Sequence, residues 1–240
     1  MASPIRFVNG VSSVASTDPL AAIPYLDPTT WAIWQENFII TPNTSLGWTL
    51  TTAGTTPTVA QAGVGPCGGI VLTLAGADND VAQLYPTLGQ FTLESGKKAL
   101  FEVKCRVNKA TGTIGLQELF LGLSKVQTTT DFVAAAGATL AVDNAVGFWS
   151  GPADANINCV VRVADVESIQ TAATTYADVT DMVLTWYFDG TSVYFYKDDV
   201  LIATIVGFPT AVMTPMLFIK AAEAKAAVLT AYYMLVARER

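Results

Sequence analysis

Residues 181–205 read DMVLTWYFDGTSVYFYKDDVLIATI, three runs of β-branched and aromatic residues separated by Asp189-Gly190 and Asp198-Asp199. Asp-Gly between such runs is a hairpin signal, because these residues tolerate the positive φ that a tight two-strand turn demands. In the first run Met182, Leu184, Trp186 and Phe188 share one face and Val183, Thr185 and Tyr187 the other, since side chains alternate along a strand. This alternation predicts an antiparallel β-sandwich, an all-β fold.

The same pattern extends outward. Short apolar runs alternate with loops rich in Thr, Gly, Asp and Asn, which places strands near 35–40, 47–51, 69–74, 81–85, 90–93, 99–108, 117–124, 145–149, 158–165, 182–188, 192–197, 200–205, 215–221 and 227–239. Over 99–108, Phe101, Val103, Cys105 and Val107 point one way, and Glu102, Lys104 and Arg106 form an expected wet face. Residues 228–239, VLTAYYMLVARE, are too apolar for an exposed edge and predict a central strand. A C-terminus in mid-sheet requires a Greek-key or jelly-roll connection. Residues 128–141 are the best candidate for a short helix or ordered loop, with a threonine cap and an alanine run.

Residues 1–32 differ in texture. Pro4, Pro19, Pro24 and Pro28 forbid regular helix and central strand, so an extended N-terminal arm is expected, with the sandwich domain spanning 33–240. Ile5, Phe7, Val8, Tyr25 and Leu26 give that arm apolar anchors for a partner or a neighbouring subunit.

Charged residues make up only 14% of the chain, against a usual share of about 25%. Either the core is unusually large or partners cover apolar surface, and the latter is the expectation here. A net charge of −7 offers no general attraction to nucleic acid, and no uninterrupted apolar run is long enough to cross a membrane as a helix. Lys97, Lys98, Lys104, Arg106 and Lys109 form a local basic cluster, read as a solvated strand face rather than a phosphate site.

With no histidine, Ser-His-Asp and Cys-His catalysis and imidazole metal sites are excluded. Retaining glycosidases on lectin-like jelly rolls place two carboxyl groups about 5–5.5 Å apart on one strand face. Glu102, Glu118, Asp165 and Glu167 supply no such run, so no enzymatic activity and no cofactor are expected. Asp78 and Asp80 in AGADND are candidate oxygen ligands for calcium, although turn chemistry explains them as well. Cys105 and Cys159 read as buried packing and Cys67 as an exposed thiol. Tyr187, Tyr194 and Tyr196 offer either a sugar-stacking platform or cross-strand structural pairs.

The segments MASPIRFVNGVSSVAS, DPTTW, ESGKKALFEVKCRVN, WYFDGTSVYFYKDD and AYYMLVARER, in that order, resemble a family of tailed-bacteriophage virion structural proteins. The resemblance implies a concanavalin A-like jelly roll that decorates or cements a capsid. It also implies a virion-exterior location after synthesis in the host cytoplasm, the major capsid protein as partner, and a homo-oligomer, taken as a trimer. No catalytic residue follows from it. The alternative is a lectin-like carbohydrate-binding module on the phage tail or capsid exterior.

Overall fold

A computed structural model describes residues 18–22, 26–42, 44–55, 57–62, 68–88, 91–109, 117–125, 132, 140–152 and 154–240. Fifteen strands follow in chain order: β1 (Trp31–Glu36), β2 (Trp48–Ala53), β3 (Thr58–Gln61), β4 (Ile70–Leu74), β5 (Val81–Pro86), β6 (Ala99–Lys109), β7 (Gln117–Ser124), β8 (Ala145–Ser150), β9 (Asn156–Val163), β10 (Val166–Thr175), β11 (Asp181–Phe188), β12 (Ser192–Lys197), β13 (Val200–Val206), β14 (Thr214–Ala221) and β15 (Ala227–Glu239). They form two antiparallel sheets, one of eight strands, β13-β12-β11-β6-β15-β4-β3 with β1 also on β15, and one of seven, β10-β9-β8-β7-β14-β5-β2. This is the expected jelly-roll sandwich.

The ladder read from residues 181–205 is present as β11, β12 and β13. Asp198 and Asp199 both hold positive φ, 49° and 66°, the requirement of a two-residue type I′ hairpin. The Asp189 carboxylate accepts hydrogen bonds from the Thr191 and Ser192 amides and fixes the other turn. Met182, Leu184, Trp186 and Phe188 enter the inter-sheet core beside Phe101, Val103, Cys105 and Val107, and Trp186 stacks on Phe101 at 5.9 Å. β15 is central, with β6 on one side and β4 and β1 on the other, and Trp31 opposes Glu239. Because β1 spans Trp31–Glu36, a boundary at 32/33 falls inside a strand of the sheet.

Other expectations fail for local reasons. The predicted strand at 35–40 starts earlier and stops at Glu36, because Phe38 takes a left-handed φ of 51°. The predicted strand at 90–93 reduces to a bridge between Phe91 and Met213. β3 and β10 escaped notice because TVAQ is short and VESIQTAATT is polar, with a bulge between Gln170 and Thr174. Of the segment 128–141, only residues 132, 140 and 141 lie within the described set.

Much of the charge deficit has an internal cause, a large apolar core. The middle strands of the seven-stranded sheet, β7, β8 and β14, are buried on both faces. This sheet's inner face meets the other sheet, while Phe120, Phe218, Met216 and Trp149 on its outer face lie against Phe132, Leu140 and Val142 from the β7–β8 connection. Phe132 sits 4.6 Å from Phe120 and 5.3 Å from Phe218, ring centre to ring centre. Gly122 and Gly147 face each other across β7 and β8 so closely that a Cβ on Gly122 would stand 2.3 Å from the Val146 carbonyl oxygen.

Candidate functional site

The outer face of the eight-stranded sheet divides into two halves. On one half the arm lies against its own sheet: Leu20, Leu26 and Trp31 pack on Leu100, Tyr187 and Tyr196. The Tyr196 hydroxyl donates to Asp18 Oδ1 at 2.6 Å, and burial followed by that carboxylate pushes its pKa upward. Burial raises Tyr187 to about 12. Tyr187 stacks on Tyr194 at 6.1 Å, and Tyr194 donates to Asp189. Tyr187 and Tyr196 are therefore covered, and only Tyr194 of the three candidate platform tyrosines keeps access to solvent. Leu26 serves this intramolecular packing, which corrects its reading as a partner contact. Ile5, Phe7, Val8 and Tyr25 lie outside the described residues.

The other half carries a feature that alternation alone hides. The β15 register shifts between Ala231 and Tyr233, a bulge at Tyr232. A bulge adds one residue to one strand, so two consecutive side chains emerge on the same face. Ala231 and Met234 point into the core, while Tyr232 and Tyr233 both reach the outer-face groups of β6 and β11. Lys104 Nζ lies 5.3 Å and Arg106 Cζ 5.9 Å from the Tyr232 ring centre, within cation–π range. Arg106 Nε donates to Asp181 Oδ1 at 2.6 Å, the Tyr232 hydroxyl donates to the same oxygen at 3.2 Å, and Lys104 stands 3.7 Å from Oδ2. Burial opposes the Asp181 charge, but the Arg106 hydrogen bond and the neighbouring cations outweigh it and hold the carboxyl below its usual range. Beside this group, Glu102 accepts from the Tyr233 and Thr185 hydroxyls at 2.7 and 2.9 Å. Glu102 is buried, not wet as its alternation implied.

A half-buried aromatic ring with two cationic donors over it and a carboxylate acceptor beside it, the three charged side chains about 40% exposed, can contact an apolar sugar face while bonding its hydroxyls. The signal was in the sequence as Tyr232-Tyr233, but strict alternation would bury one of the pair.

Over its middle strands the outer face of the seven-stranded sheet is closed. β7 presents Glu118, Phe120 and Gly122 in succession there, with Lys220 3.8 Å from Glu118, both side chains buried. Arg162 pairs with Glu167 at 2.6 Å, and Glu167 also accepts from the Leu140 amide, which ties down the covering segment. Asp165 lies at the surface, 3.1 Å from Arg162.

Asp78 is exposed, whereas Asp80 is buried with Oδ1 accepting from the Thr55 amide and Oδ2 from the Ala77 amide, so the two carboxylates do not converge. Among the described residues no three His, Cys, Asp or Glu side chains group as a metal site. Cys105 and Cys159 are buried free thiols, and Cys67 lies outside the described residues. Between β1 and the β2–β5 edge, Trp34, Trp48 and Phe91 line an apolar groove of about 430 Å³.

No protein-family model and no curated protein matches the chain. Among solved structures it is similar to an endo-1,3-β-glucanase from Streptomyces sioyaensis, at 10% identity over 89% of this chain and 98% of that one, with a TM-score of 0.62. It is also similar to the Emp47p carbohydrate recognition domain, at 11% identity over 88% and 98%, TM-score 0.55. A third is an endo-β-1,4-glucuronan lyase from the fungus Trichoderma reesei, at 7% identity over 79% and 90%, TM-score 0.53. The fold is thus a concanavalin A-like jelly roll. The expectation of no enzymatic activity is corrected by the same finding: this fold serves a glucanase and a lyase as well as a recognition domain, and a chain without histidine is not thereby excluded from catalysis. Support for the bacteriophage resemblance stops at the jelly roll.

Proposed function

We propose that this chain is a lectin-like carbohydrate-binding jelly roll whose ligand platform is the outer-face surface around Tyr232. The bulge at Tyr232 carries the reading, because it brings a half-buried aromatic ring to the outer face beside Lys104, Arg106 and Asp181. A few convergent polar groups beside an apolar surface are what fixes a small ligand's orientation. Kinship of fold with the Emp47p carbohydrate recognition domain supports the class of ligand. A glycan array probed with the full chain tests it, with saccharide turnover followed on the same ligands. Binding weakened by about tenfold or more by Tyr232→Ala and by Asp181→Asn is expected; an array without a ligand, or a ligand indifferent to both substitutions, overturns it.

A second reading, decoration of a bacteriophage capsid, is favoured by β13, whose exposed Val200, Leu201 and Val206 offer apolar contacts at a sheet edge. Saturable cosedimentation with capsids, weakened by Val206→Lys, is the result it requires. Absence of binding would remove it.

A further inference from the structure

From Asn37 to Ala77 the chain contains no Asp, Glu, Lys or Arg, a longer uncharged run than the next, Val200 to Ile219. The fold gathers that stretch on one side of the molecule, because β2 ends the seven-stranded sheet while β3 and β4 end the eight-stranded one. Ile39, Ile40, Leu46, Leu50 and Leu88 are exposed there, and the Trp34–Trp48–Phe91 groove opens among them. β2 itself, WTLTTA, pairs with β5 over six consecutive residues without a bulge, and among the described residues no strand pairs with its other edge. Proteins ordinarily blunt such an edge with lysine, proline or a bulge, and β2 has none of these.

We infer that this uncharged side is a two-fold interface between copies of the chain, in which β2 pairs antiparallel with β2 of a second molecule and continues the seven-stranded sheet through both. Charge selects the occupant. A strongly basic or acidic partner would be recognised through opposite charges, and the stretch from Asn37 to Ala77 supplies none. Two molecules of net charge −7 repel each other, and an approach through the uncharged side keeps their carboxylates apart. An antiparallel edge is self-complementary about a two-fold axis, so the contact closes at a dimer and not at the trimer expected from the sequence. The strand supplies main-chain hydrogen bonds while Leu46, Leu50 and Leu88 bury apolar area around it.

Sedimentation velocity of the full chain across a concentration series tests this, with circular dichroism to verify folding of each variant. Wild type is expected to dimerise. Thr52→Lys, at an exposed position of β2, and Leu88→Lys, beside it, are each expected to weaken the dimer by about tenfold or more. Val200→Lys on β13 should leave it unchanged. Raising salt should tighten the dimer, since screening removes the repulsion between two acidic molecules while the uncharged contact is untouched. A wild-type chain monomeric at about 0.1 mM, or a dimer insensitive to both Thr52→Lys and Leu88→Lys, overturns the inference. Neither result bears on glycan binding at Tyr232, which lies on the outer face of the other sheet.

Discussion

Replacing Asp80 by alanine should cost the protein several kcal/mol, and the structure accounts for the amount. Asp80 is fully buried, with one carboxylate oxygen on the Thr55 amide at 2.8 Å and the other on the Ala77 amide at 3.1 Å. Gly54 packs so tightly on this carboxylate that a Cβ there would meet Oδ1 at 2.0 Å, which leaves little space for water to replace it. Hydrogen bonds to a charged group are worth about 1.5–3 kcal/mol each, so losing two and stranding their donors costs roughly 3–6 kcal/mol. For a chain of this length, each kcal/mol moves the melting temperature by about 2–4 °C, so the expected drop is on the order of 10 °C. Asp80→Asn, which keeps one acceptor and turns a donor toward the second amide, should fall between wild type and Asp80→Ala. Thermal melts with calcium and with a chelator complete the assay. A loss under about 1 kcal/mol would refute the hydrogen-bond account. Calcium stabilisation of wild type that vanishes in Asp80→Ala would instead make Asp80 a metal ligand.

Three further outcomes follow from packing and ionisation. Gly122→Ala should destabilise severely, by about 3 kcal/mol or more, because its Cβ would collide with the Val146 carbonyl and prise β7 from β8; chemical denaturation showing under about 1 kcal/mol would contradict the packing described. Burial pushes the Cys105 and Cys159 thiols upward in pKa, so a Cys67→Ser variant should resist a thiol reagent until urea is added, and rapid labelling of the native protein would count against their burial. Tyr187 has a folded pKa of about 12 against an ordinary 10, so its contribution to stability is complete below pH 10 and is lost as pH rises toward 12; a Tyr187→Phe variant should lose less stability over that window than wild type.

Much of the fold was legible because the strands that set it alternate cleanly and end in residues chosen for positive φ. The ladder of β11, β12 and β13 and the central place of β15 were both readable on those terms. What the sequence hid was the second layer of burial. The periodicity of β7, QELFLGLS, marks an inner face but cannot say that Phe132 and Leu140 close over the outer one, since those contacts join distant segments. Glu102 was misread for the same reason: alternation put it on the outer face, but outside is not wet where Tyr233 and Thr185 stand over it. The site was obscured by a local rule failing. Strict period-two reading assigns one of Tyr232 and Tyr233 to the core, and only the bulge in pairing with β6 brings both outward. The tyrosines that alternation did expose, Tyr187 and Tyr196, are covered by the arm through Leu20 and Asp18.

The most direct test of the carbohydrate-binding reading is a calorimetric titration of the strongest array ligand into wild type, Tyr232→Ala and Tyr194→Ala. Loss of the Tyr232 stacking surface should weaken binding by about tenfold or more, corresponding to roughly 1.4 kcal/mol, while Tyr194→Ala leaves affinity unchanged. Equal affinities for wild type and Tyr232→Ala, with both proteins folded, would contradict it.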